Sequence, residues 1–179
     1  MKYFVIAQIL GIIGMGMNIL SYQGEKQKSV IIMQFFSSLF FSVNMLMLRA
    51  TMGCLLNIIG IFRALVYVNK DKFKHIGIAN VVFMFLFVLS YIATFTIFKK
   101  EPSTFNIIVE ILPLIAMFAT TIGFSKKDAK SIRRMALISS PLWLIYDLIN
   151  MSLGGVVCET LSLISVVIGM FRYDIQRGK

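Results

Sequence analysis

Long apolar runs alternate with short polar connections from one end of the chain to the other. A helix that crosses a bilayer needs about 20 mostly apolar residues, each adding about 1.5 Å to its length. Seven runs of this kind occur, so the pattern predicts an all-α membrane protein with a single membrane domain over residues 1–179. The predicted helices cover residues 4–22, 30–48, 51–69, 76–98, 105–124, 132–151 and 153–171.

The second half of the chain repeats the first at an offset of 102 residues. Residues 8–70 align with 110–172 without a gap, with 11 identities in 63 positions, and the helix boundaries coincide as well. This pattern predicts a first triple-helix repeat over 4–70, a linking helix over 76–98 and a second triple-helix repeat over 105–172. Because one helix separates the triplets, both run in the same direction. Transporters with parallel repeats bind their solute between the repeats, near the midplane of the membrane.

The composition excludes most classes of water-soluble protein. Hydrophobic residues make up 58% of the chain and charged residues 15%, whereas soluble domains average roughly 45–50% and about 25%. The formal charge is +10, but no soluble basic domain is present to carry it to a nucleic acid. Two cysteines and one histidine leave no zinc or disulfide framework. We therefore expect neither an enzyme nor a cofactor.

Lysine and arginine are distributed unequally between the two predicted faces of the membrane. The face that carries the N-terminus holds 4 of them: Lys2, Arg49, Lys99 and Lys100. The opposite face holds 13, and Arg63 lies inside the third predicted helix. Because cytoplasmic loops are enriched in these residues, the pattern predicts an outer N-terminus and a cytoplasmic C-terminus.

Several polar residues lie inside predicted helices, where they are costly and usually face the bundle interior. Gln8 and Asn44 belong to the first repeat, and capping or interfacial hydration is the alternative for Asn44. The second repeat contains three acids, which are Glu110, Asp147 and Glu159. Either these acids pair with Arg49 or with one another, or at least one of them takes up a proton or binds a cationic or hydroxylated solute.

Two prolines and one arginine add candidates for a gate. Pro113 and Pro141 lie inside the fifth and sixth predicted helices, where proline removes a backbone hydrogen bond and favours a kink. Kinks of this kind are expected of helices that bend during gating, although static helices have them too. For Arg63, we expect a side chain that extends to the cytoplasmic interface, with an inner gate or an anion site as the alternative.

Short motifs in both halves carry a resemblance to a known family. They are Ala7 and Gln8 with Gly11, residues 56–57, residues 109–113, Trp143 with Ile145, and Gly154 and Gly155 followed by Glu159. With these motifs the chain resembles the YgjV-type bacterial inner-membrane proteins. The arrangement of three, one and three helices resembles the wider SWEET and PQ-loop superfamily. The resemblance implies a multi-pass protein of the bacterial inner membrane.

The resemblance also implies a site. In SWEET-like sugar transporters, an aromatic residue on the second helix of a triplet and an asparagine on the third helix line the solute pocket. By helix position these roles fall on Phe41 and Asn57 in the first repeat, and on Trp143 and Glu159 in the second. The glutamate replaces the expected asparagine, and Gly11 stands where a proline would be expected in the first helix.

Two functions from different classes remain open from the sequence. The first is a transporter of a sugar-like or nucleoside-like solute that works by alternating access, with or without proton coupling through Glu159 or Glu110. The second is a membrane-embedded receptor or partner-binding protein without net transport, which could use the basic segment 126–134 as a docking surface. The lipid bilayer is the one certain partner, nucleic acid is not expected, and a homo-oligomer is compatible with either function.

Overall fold

The computed structural model describes residues 2–47, 51–72, 76–149 and 153–175. Within these ranges the chain forms seven α-helices and no strand. The helices are α1 (Lys2–Ser21), α2 (Gln27–Met47), α3 (Thr51–Val68), α4 (Ile76–Thr96), α5 (Thr104–Ser125), α6 (Ala129–Ile149) and α7 (Leu153–Gly169). A 3-10 turn over Lys70–Lys72 follows α3, and a π-helical segment over Met170–Ile175 follows α7. Each predicted helix coincides with one of the α-helices, and no end differs by more than three residues.

Four of the described helical segments are long and apolar enough to cross a membrane. They are Gln27–Met47, Ile76–Thr96, Thr104–Ser125 and Gly154–Ile175. Val5–Ser21 and Met52–Val68 are apolar but shorter. Helix α6 is the least apolar, because its first turns contain Lys130, Arg133 and Arg134. Large apolar side chains are widely exposed on the helices, as with Ile12, Val81 and Phe85, and such a surface is suited to lipid rather than to water.

The helices contact one another in a regular pattern. Helix α2 packs closely against α1 and α3, and α6 packs closely against α5 and α7. Across the two halves, α1 contacts α7, α2 contacts α6 and α3 contacts α5. Helix α4 lies against α3 and α5.

Helix α4 has one buried face and one exposed face. Phe83 and Phe87 are buried, and the Phe83 ring lies 6.1 Å from the ring of Tyr67 on α3. Phe85, by contrast, is exposed, and so is Phe98, two residues after the end of the helix. The helix therefore joins the two halves and also packs against them.

Buried apolar side chains concentrate at the helix ends next to the lysine-rich connections, which we call the basic end. This layer includes Val30, Ile31, Tyr67, Phe124, Ala129, Ile132, Ala136 and Val166. Hydrogen bonds across the two halves reinforce it. Gln27 Nε2 donates to the carbonyl oxygen of Phe124 at 2.8 Å, and Gln23 Nε2 donates to Ser165 Oγ at 2.9 Å. The two halves are thus packed together at the basic end.

Candidate functional site

A cavity of about 770 Å³ lies between the two halves of the protein. Every helix except α4 contributes to its wall, and the volume is within the range of small-molecule sites. Seven of the residues singled out from the sequence for a site or a gate line it, namely Phe41, Asn44, Asn57, Arg63, Trp143, Asp147 and Glu159. Helical faces that are 102 residues apart in the chain thus meet around one space.

The cavity is closed toward the basic end and extends in the other direction. Its deepest lining residues on the basic side are Tyr22, Gln34 and Arg63, and the buried apolar layer lies beyond them. On the other side its lining reaches Asp147 and the exposed Gly154, close to the connection between α6 and α7. We call this side the open end.

Four side chains form a layer in the middle of the cavity. Asn57 and Glu159 each lie six residues after the first residue of their helices, which is about 9 Å along the axis. Phe41 and Trp143 lie six residues before the last residues of α2 and α6, so all four are at a similar depth. The Trp143 ring packs edge to face against Tyr146 at 5.8 Å. The layer combines two aromatic side chains with one amide and one carboxyl group.

On the open-end side of this layer, a side chain packs against a glycine at corresponding positions of the two halves. The side chain is uncharged on the first half and acidic on the second. On the first half, Asn57 Nδ2 lies 3.6 Å from Met45 Sδ, and a methyl group on Gly53 would collide with the Met45 side chain. On the second half, a methyl group on Gly155 would collide with the Asp147 carboxylate in the same way. Glu159 interacts with Asp147 and with the Ser140 hydroxyl. Between this layer and the open end, the cavity wall is therefore neutral on the first half and acidic on the second.

Glu110 does not reach this cavity. It is 1% exposed, forms an ion pair with Lys100 and accepts a hydrogen bond from the Tyr146 hydroxyl at 3.4 Å. The expected partner Arg49 lies outside the described residues, and the ion pair that the structure describes is with Lys100, in the connection between α4 and α5. Asp147 and Glu159 line the cavity, whereas Glu110 does not; a role for Glu110 in a polar pathway stays a prediction.

The remaining polar candidates and the two prolines differ in where they lie relative to the cavity. Asn44 is buried, and its Nδ2 donates to the carbonyl oxygen of Ala7 at 2.7 Å, so its amide holds α1 against α2 although it touches the cavity. The side chain of Gln8 is not among those that the structure describes. Pro113 and Pro141 lie within continuous helices and do not line the cavity. Their role in bending stays a prediction.

The expectation that Arg63 extends to the interface is wrong. The residue is 5% exposed and lines the cavity. Its Nη1 donates to Met117 O at 3.3 Å and to Thr121 Oγ1 at 3.1 Å, and the guanidinium lies 4.7 Å from the centre of the Phe124 ring. Side chains on a helix lean toward its N-terminus, and for α3 that direction leads away from the basic end. Helix direction was the sequence signal that could have identified this position.

The thiols and possible metal ligands add no second site. Cys54 and Cys158 are free and buried, as expected for cysteines in a packed bundle. Among the residues that the structure describes, no group of three histidine, cysteine, aspartate or glutamate side chains could hold a metal ion.

Comparison with known proteins supplies the family. The model of the Imp-YgjV family, described as a bacterial inner membrane protein, matches residues 5–177. No curated protein and no solved structure is significantly similar to the chain. The family match covers nearly the whole chain and agrees with its several long apolar helices. The chain therefore belongs to the Imp-YgjV family of bacterial inner membrane proteins.

Proposed function

We propose that the protein transports a small polar solute by alternating access between two triple-helix bundles, residues 4–70 and 105–172, joined by the helix over 76–98. The observation that carries this proposal is the cavity between the halves. It has a polar and aromatic wall from six helices, reaches the open end and is closed by packed side chains at the basic end. A cavity with access from one side only is expected of one state of such a transporter.

The contacts between helices support the two-bundle arrangement. If an axis exchanges the two triplets, the first helix of each must meet the third helix of the other. This relation is found in the contacts of α1 with α7 and of α3 with α5. It extends to side chains, because Ser165 Oγ donates to Ile19 O at 2.6 Å while Arg63 Nη1 donates to Thr121 Oγ1. Positions 63 and 165 are 102 residues apart, as are 19 and 121. This symmetry is also the basis on which we propose a SWEET-like or PQ-loop fold.

The layer of Phe41, Asn57, Trp143 and Glu159 is the proposed solute site. Aromatic faces can stack on a sugar ring or a base, while amide and carboxyl groups can bind hydroxyl or amino groups, so a sugar-like or nucleoside-like solute remains the first class to test. Proton coupling, if present, falls on Glu159 rather than Glu110, because only Glu159 lines the cavity.

The test of the site uses purified protein in detergent and a panel of sugars, nucleosides, vitamins and amines. A solute that binds the folded state increases the free energy of unfolding by mass action, by about 2.7 kcal/mol at a concentration of 100 Kd, and so raises the melting temperature. We expect a stabilising solute whose effect is lost in Trp143→Ala and largely kept in Trp143→Phe, which retains an aromatic face. The same solute should enter proteoliposomes that contain the protein.

Two results would contradict the transporter. Binding that depends on Trp143 without any flux into proteoliposomes would favour the receptor alternative. Loss of a protein partner after neutralising the basic segment 126–134, in a protein that moves no solute of the panel, would favour it as well. A panel without any stabilising solute would remove the support for a solute site.

We further propose that the N-terminus is outside and that the basic end faces the cytoplasm, on the strength of the unequal distribution of lysine and arginine. Fusion of the C-terminus to green fluorescent protein should then give fluorescent cells, because that protein becomes fluorescent in the cytoplasm. Fusion to alkaline phosphatase, which is active only outside, should give inactive enzyme. The reverse pair of results would overturn this orientation.

A further inference from the structure

We infer that the solute carries an ammonium group at one end and a carboxylate at the other, separated by several bonds, as in an ω-amino acid. This inference rests on the proposed transport function and names the class of its substrate. It comes from the charged groups along the cavity, in particular from Arg63, for which the sequence offered an anion site only as the alternative.

The first observation is the pair of carboxylates on one wall. Asp147 and Glu159 line the cavity on the second half, while Met45 and Asn57 occupy the equivalent positions on the first half. The ring of Trp143 borders the same space. A carboxylate beside an aromatic face is a favourable environment for an ammonium group, which gains from ion pairing and from the cation–π interaction.

The second observation is independent and lies deeper in the cavity. Arg63 is 5% exposed, and the ion pairs found among the described residues do not include it. Its Nη1 contacts one carbonyl and one hydroxyl oxygen, and its Nε–H has no acceptor within the described residues. A buried guanidinium without an anion and with an unsatisfied N–H is costly. A carboxylate in the cavity would supply both the charge and the missing acceptor.

The spacing of the charges selects the length of the solute. Arg63 lies six residues after Asn57 on α3, or about 9 Å further along the axis than the layer that contains Glu159. The arginine side chain leans back toward that layer, which shortens the gap between the charges. An α-amino acid holds its two charges too close together to reach both ends, whereas a chain of several carbons between them can do so.

The test compares four probes in thermal-shift and calorimetric titrations of the full-length protein. 6-Aminohexanoate carries both charges, hexylamine and hexanoate carry one each at the same chain length, and glycine holds the two charges close together. We expect 6-aminohexanoate to bind about tenfold or more tightly than each of the other three, because each charged contact adds about 1.5 kcal/mol or more.

Variants assign each end of the solute to its residue. In Arg63→Gln, 6-aminohexanoate should lose its advantage over hexylamine but keep its advantage over hexanoate. In Glu159→Gln, 6-aminohexanoate should lose its advantage over hexanoate but keep its advantage over hexylamine. Arg63→Lys keeps a positive charge and should therefore keep part of the preference for 6-aminohexanoate over hexylamine. This variant tests the same contact should Arg63→Gln fold poorly. Glu101→Gln, at an exposed acid outside the cavity, is the matched control and should leave all four affinities unchanged.

The outcomes separate this inference from the proposed function. Glucose or uridine binding through Trp143, with no response to 6-aminohexanoate, would overturn the inference and leave the transporter intact. Equal affinity for the singly and doubly charged probes would also overturn it, as would the absence of binding by every charged probe. Tight, Arg63-dependent binding of 6-aminohexanoate without flux into proteoliposomes would support the inference and contradict transport.

Discussion

Replacement of Arg133 by methionine is expected to lower the free energy of unfolding by about 3–5 kcal/mol, because it removes one partner of a buried ion pair. Arg133 is 2% exposed and pairs with Asp174, whose side chain is 4% exposed, with an Nε–Oδ2 distance of 2.9 Å. Its Nη1 also donates to Gly24 O at 2.9 Å. One side chain thus joins α6, the connection between α1 and α2, and the segment after α7.

The neighbouring residue supplies the matched control for this substitution. Arg134 is exposed, so Arg134→Met should change the unfolding free energy by no more than about 0.5 kcal/mol. The double variant Arg133→Met with Asp174→Leu should recover part of the loss, because it leaves no unpaired buried charge. Unfolding in detergent, followed by heat or by denaturant titration, measures all three. Equal destabilisation by Arg133→Met and Arg134→Met would show that the buried ion pair of Arg133 with Asp174 does not contribute the expected stability.

Glu159→Gln is expected to abolish any dependence of solute uptake on a pH gradient. A carboxyl group can gain and lose a proton in each transport cycle, whereas an amide of the same size cannot. A difference of one pH unit supplies about 1.4 kcal/mol per proton, so coupled uptake can concentrate a solute about tenfold. The variant should only bring the solute to equal concentrations on both sides. Uptake by proteoliposomes at several imposed pH differences measures the effect.

Glu110→Gln is the control for this second prediction. Glu110 is buried in its pair with Lys100 and lies outside the cavity. Its replacement should therefore lower thermal stability while leaving the pH profile of uptake unchanged. An unaltered pH profile in Glu159→Gln, or a profile lost only in Glu110→Gln, would rule out coupling through the cavity.

The positions of the helices followed from hydropathy, and the deviations have a simple cause. Helices α2 and α6 begin at Gln27 and Ala129, three residues earlier than predicted. In both cases the first turn contains a lysine, Lys28 or Lys130, which an apolar run excludes but a helix accommodates well. The two helix starts that deviate are 102 residues apart in the chain.

The four residues of the proposed site came from the resemblance to SWEET-like transporters, and their spacing along the chain added only that each pair shares one depth. Phe41 and Asn57 are 16 residues apart, as are Trp143 and Glu159, and each pair spans a short connection. That spacing places the members of a pair at one depth, and all four line the cavity.

Charged residues were not predictable in the same way. Glu110 and Glu159 both lie in apolar helices of the second half, and nothing in their local sequence shows that the first meets Lys100 while the second lines the cavity. Arg63 and Arg133 both lie near the basic end, yet one contacts α5 and the cavity while the other pairs with Asp174.

The sequence by itself determined that the protein is an all-helical membrane protein, the number and limits of its helices, and the family to which it belongs. The free energy of transferring a side chain from water to an apolar environment depends on the residue type alone. The order of apolar and polar residues along the chain is therefore enough for these conclusions. Only the tertiary structure decided which acid is paired, which arginine lines the cavity and where the cavity closes. These outcomes depend on the partner that each buried charge meets across a helix interface, and that partner is far away in the chain.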